Sequence, residues 1–140
     1  MGQIHASIEL INLIDFQDSR RLIIDTDDVR KITVSALVDT GALFMCINEN
    51  IQEYLQLPIV DYNRVELADG RVVERPIVAP LMIRCMGEIA HCSAVVMPDD
   101  SEPLLGAIPL EEMNLIIDLQ RLELIPSPRF QKMVGYRILD

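Results

Sequence analysis

The sequence predicts an all-β domain carrying two short helices, and three observations predict it. Apolar and polar residues alternate with a period of two in "IHASIELINLI", the signature of a half-buried strand. An Asp69-Gly70 pair separates two further strand-like runs, and Asp-Gly is among the strongest short-range hairpin signals. Half of the residues are hydrophobic, but only 4% are aromatic and Trp is absent. Val, Ile, Leu and Met must therefore fill the interior.

The elements follow in order. The opening strand places Ile4, Ala6, Ile8 and Leu10 on one side. "DFQDSRR" reads as a turn, and "RLIIDTDDVRKITVSALVD" as two strands joined at Asp27-Asp28. In "NENIQEYLQLP", Ile51, Tyr54 and Leu55 stand at helical spacing between a capping Asn48 and Pro58, which predicts a helix of about two turns. "YNRVELADGRVVERPIVAPLMIRCMG" is strand, turn and strand, and "EIAHCSAVVMP" one strand more. "EPLLGAIPLEEMNLIIDLQRLELIP" gives a short strand into Leu104-Leu105-Gly106, a helical turn from about Pro109, and two last strands meeting near Gln120-Arg121. Residues 1–126 make one domain; residues 127–140 form a tail whose Phe130, Met133, Val134, Tyr136 and Ile138 are too apolar to lie free in solvent.

The chain has 140 residues, enough to fold around one core without disulfides. A net charge of -10 and a pI near 4.5 argue against nucleic acid as a partner, because such binding draws its affinity from Lys and Arg. No apolar run approaches the ~20 residues that a membrane span needs. The N-terminus lacks the basic and apolar regions of a secretory signal, and Ala6 breaks a myristoylation motif. The expectation is a cytoplasmic protein. Cys46, Cys85 and Cys92 share no metal-binding spacing, and His91 stands beside Cys92 without further ligands nearby in sequence. Reduced, packed thiols are expected, with no metal.

The stretch that bears on function is "SALVDTGALFMC". An Asp-Thr-Gly is common as a turn, since Asp bonds its own backbone and Gly turns easily. Here, however, Val34, Ala36, Leu37 and Val38 read as a buried strand that delivers Asp39 to the edge of the core, and more apolar residues follow directly. "IDTDDV" nearly repeats the triplet but has Asp27 in place of Gly. A second carboxylate there would crowd the first, so it reads as a plain turn.

In this order, "ALVDTGA", the hairpin "VELADGRVVE" and "LLG" before a short helix resemble the single-lobe, retropepsin-like aspartic proteases of clan AA, over roughly residues 4–126. The resemblance implies a closed β-barrel of the acid protease fold, active as a homodimer, that hydrolyses peptide bonds without metal or organic cofactor. It implies Asp39 as the catalytic carboxylate and Thr40, Gly41 and Ala42 as its loop. Ala68, Asp69, Gly70 and Arg71 would be the tip of a flap over the substrate. Leu43, Leu104, Leu105, Gly106 and Ala107 would wall the cleft. Peptide hydrolysis needs an activated water and a proton for the leaving nitrogen. Two carboxylates held about 3 Å apart share one proton and supply both; one chain offers a single Asp-Thr-Gly, and a two-fold partner the second.

The sequence departs from the retroviral pattern at Leu43 and Ala107, which stand where an acidic residue and its Arg partner occur in those relatives. Replacing both by apolar residues is coherent as packing. It points to an apolar cleft and to extended peptides or unfolded segments with apolar residues flanking the cut. The alternative from another class is a peptide-binding or dimerisation module of the same fold with little turnover.

Overall fold

A computed structural model describes residues 2–128; the apolar tail, from residue 129 on, lies outside the described residues. The chain starts with strand β1 (His5–Asn12), whose alternation buries Ile8 and Leu10. Asn12 then caps a helix, α1 (Leu13–Arg20), its side chain accepting a bond from the Asp15 N–H. The turn expected at "DFQDSRR" is thus two turns of helix. Its sequence signal was an N-cap Asn with an acid three residues on, masked because the apolar residues do not recur in the second half.

The hairpin expected around Asp27-Asp28 is also corrected. Only its second strand forms, as β2 (Lys31–Val38), while Thr26–Asp28 is a 3-10 helix. The backbone N–H groups of Leu22 and Ile23 bond the carbonyls of Ser19 and Asp18 at the end of α1, so they are not free to build a ladder. Arg30 fastens the segment from its far end. Its guanidinium bonds both oxygens of the buried Asp15 at 2.8 and 3.0 Å, and its N–H donates to the same carboxylate.

The chain continues through β3 (Met45–Asn48), α2 (Glu49–Leu55), β4 (Ile59–Glu66), β5 (Val72–Cys85), β6 (Glu88–Met97), β7 (Leu104–Leu105), α3 (Ala107–Glu112), β8 (Leu115–Asp118) and β9 (Glu123–Pro126). Asn48 caps α2 as its sequence predicts, accepting from the Ile51 N–H at 2.8 Å. Three α-helices therefore stand among the described residues instead of two, the third being α1.

The main sheet runs β1-β2-β7-β3-β6-β5-β4, and β1 also pairs with β5, so the strands from β1 to β5 close into a ring with β4 attached outside. Strand β5 can serve two partners because it is long: its first half pairs with β4, its last residues with β1. Its register on β6 slips between Val78 and Leu81, at Pro80, which has no N–H to offer a ladder. Ile8, Leu10, Ile47, Val78, Leu81, Ile83 and Leu105 fill the ring, and β8 and β9 form a separate two-stranded sheet.

Candidate active site

Asp39 stands where β2 leaves the ring. Strand β2 runs parallel to β7, pairing Leu37 with Leu104 and Val38 with Leu105, and the Asp39 N–H makes a last bond to the Leu105 carbonyl at 3.1 Å. The chain then turns back, the Ala42 N–H reaching the Asp39 carbonyl at 3.1 Å. One carboxylate oxygen of Asp39, Oδ1, accepts the Gly41 N–H at 2.9 Å, which is the Asx turn that its sequence suggests. Its other oxygen has no hydrogen bond among the described residues. Asp39 therefore holds the turn with one oxygen and offers the second.

The loop rests on the start of α3. The N–H groups of Ala107 and Ile108 donate to the carbonyls of Ala42 and Leu43 at 2.9 and 3.0 Å, so the loop's main chain satisfies donors that open every helix. Main chain can come this close because residue 106 is Gly: a Cβ there would stand 2.8 Å from the Ala42 oxygen and closer still to that of Phe44. Strand β7 lies between β2 and β3, with Cys46 opposite Leu104. The stretch after Asp39 and the stretch after Leu105 are thereby locked together.

Most of the residues singled out in the sequence gather here. Asp39, Thr40, Gly41, Ala42, Leu43, Gly106 and Ala107 share this loop pair, and Thr40 and Ala107 line one cavity of 390 Å³. Leu105 does not wall a cleft: it is 0% exposed and packs in the core, because its place in the ladder beside Val38 turns it inward. Ala68, Asp69, Gly70 and Arg71 form the tip of the β4–β5 hairpin, with Gly70 at φ 87°. No hydrogen bond joins that tip to the Asp39 loop among the described residues. The tip is braced internally, Asp69 accepting from the Arg71 N–H and guanidinium at 3.0 and 2.7 Å, and these bonds hold its carboxyl below the usual range.

Cys46 is a neighbour that the sequence did not reveal. Burial pushes its thiol up, and the negative charge of Asp39 adds to the shift, so the thiol beside the loop stays protonated and inert. A second cavity, of 320 Å³, is lined by Asp39 itself with Ile4 and Leu119. Here too the N-terminal strand takes part, as the Val38 N–H bonds the Ile4 carbonyl at 2.8 Å.

The family profile described as aspartyl protease matches residues 18–107, well over half of the chain. The chain belongs to the aspartyl protease family. Its matched span runs from Asp18 in α1 to Ala107 at the start of α3, and so takes in the Asp39 loop, the β4–β5 hairpin and Gly106. No curated protein matches the chain. The mostly-β ring with few short helices is consistent with an aspartic protease fold, and the family supports a hydrolase acting on peptide bonds.

Proposed function

We propose that this aspartyl protease is an endopeptidase that acts as a homodimer, with Asp39 of each copy paired across the two-fold axis. The observation that carries the reading is the setting of Asp39: a carboxylate with one oxygen unengaged, on a loop rimmed by exposed apolar side chains. Leu43 is 57% exposed and Leu119 71%, and Phe44, Ile108 and Ile116 are also exposed. An apolar rim around a polar centre is what a second copy would cover.

In the pair, one carboxylate retains a proton and the other is ionised. The ionised one takes a proton from water as its oxygen attacks the scissile carbonyl carbon. The protonated one donates to the carbonyl oxygen, and a proton passes to nitrogen as the C–N bond breaks, giving a carboxylic acid and an amine. Thr40 ties the two loops together, and Gly41 leaves room for substrate. The β4–β5 hairpin closes as a flap, bonding an extended peptide as an added strand would. Leu43, Leu104 and Ala107 favour apolar residues beside the cut.

The test is incubation of native protein and Asp39→Asn with a diverse peptide library. Cleavage by the native protein alone is the expected result. Equal cleavage by both would remove Asp39 from the chemistry, whereas peptide binding by both with cleavage by neither would identify a binding module.

A further inference from the structure

Away from Asp39, one cavity is walled by cations, in a chain with 22 acidic residues against 12 Lys and Arg. It measures 190 Å³ and lies between α1, the 3-10 helix and the ring, with Arg20, Lys31 and Arg84 in its wall and no carboxylate. Arg20 and Lys31 have no ion-pair partner among the described residues, although the acids are in excess. Arg84 stacks over the Phe16 ring at 5.4 Å and meets Glu9 only at 3.7 Å. Ser19, 7% exposed, also lines the cavity.

The cavity's floor is apolar, formed by Phe16 and Ile11. An apolar cavity of about 150 Å³ accepts a benzene ring, so this one has room for a ring and a small charged group. We propose that it binds a small organic anion, a carboxylate on an apolar body of about one ring. Arg20 and Lys31 hold the carboxylate, the Ser19 hydroxyl donates to it, and Phe16 and Ile11 receive the body. Lys31 opens β2 and Asp39 follows its last residue, so at ~3.3 Å per residue the two sites lie about 25 Å apart. The anion site is thus distinct from the Asp39 loop and does not depend on the protease reading.

The same chemistry occurs in a free small acid and in the carboxyl terminus of a peptide that ends in an apolar residue. Calorimetric titration with phenylacetate, its neutral amide, inorganic phosphate, and a short Phe-ending peptide in acid and amide forms separates the sources. Phenylacetate is expected to bind at least about tenfold more tightly than its amide and than phosphate, the native protein alone sufficing for that comparison. Lys31→Met and Arg20→Gln, both at exposed positions, should each weaken phenylacetate by about fivefold or more without lowering the melting temperature. The peptide acid binding as tightly as phenylacetate assigns the site to peptide termini, and weaker binding assigns it to free acids. Equal affinity for acid and amide, equal affinity for phosphate, no binding of phenylacetate at about 10 mM, or variants that bind like the native protein would each overturn the proposal.

Discussion

Gly106 and Phe44 meet through main-chain atoms alone: a Cβ on Gly106 would overlap the carbonyl oxygen of Phe44. The φ of Gly106 is -86°, which any residue adopts, so the need for Gly is one of space. Gly106→Ala must push the Asp39 loop off α3 and break the bonds from Ala107 and Ile108. We expect a loss of about 1–3 kcal/mol in urea unfolding, the usual cost of overpacking, together with loss of peptidase activity. Full stability with Ala at position 106 would show that the loops part without cost.

Gly41 is a milder case. A Cβ there would stand 3.1 Å from Asp39 Oδ1, so Gly41→Ala shifts the carboxylate by tenths of an ångström. Stability should change by less than about 1 kcal/mol, while kcat falls roughly tenfold or more, because catalysis is sensitive to displacements of this size. Unchanged kcat would mean that the position of Oδ1 does not matter.

Asp15 and Arg30 set an acid limit. The hydrogen bonds from the Arg30 side chain hold the Asp15 carboxyl below its ordinary value of 3.8 against the opposing effect of burial. A lowered folded pKa contributes stability that is fully present above the unfolded pKa and is lost as pH falls through the folded one. Asp15→Asn should therefore cost about 1–3 kcal/mol at neutral pH, and the gap to the native protein should close below pH 3.8. A gap that is constant with pH in urea titrations would assign the cost to packing instead.

Leu43 tests the proposed dimer. Since it is more than half exposed, Leu43→Asp should leave the stability of the single chain within about 0.5 kcal/mol yet weaken self-association at least about tenfold in sedimentation. Adding Ala107→Arg should recover part of that loss, because the main chains around Leu43 and Ala107 are bonded together. A double variant no better than the sum of the singles would show that the two side chains do not face each other.

Activity per chain should rise with the dimer fraction between nanomolar and micromolar protein, and its dependence on pH should be bell-shaped. Below the lower apparent pKa of the pair no base remains, and above the upper one no acid remains. In the proposed dimer two ionised carboxylates would meet at the axis and repel, so alkaline pH should also weaken self-association of the native protein more than that of Asp39→Asn. Constant activity per chain while sedimentation shows assembly would place the active site within one chain.

Period-two alternation, the Asp69-Gly70 turn, the Asn48 cap and the strand that delivers Asp39 were all legible in the sequence, because each is written in neighbouring residues. What the chain alone determined was therefore the β-rich content, the family and the place of Asp39 at the end of its strand. The tertiary structure decided what depends on distant partners. α1 replaced a turn because Asn12 accepts the Asp15 N–H while Arg30 donates to the Asp15 carboxylate, and "RLIID" is no strand because the end of α1 uses its donors. Leu105 became core, since a residue's face is set by the ladder it joins. The cavity of Arg20, Lys31 and Arg84 was equally hidden: Arg84 lies far from the other two in sequence, and ring closure through β1 and β5 brings it to them.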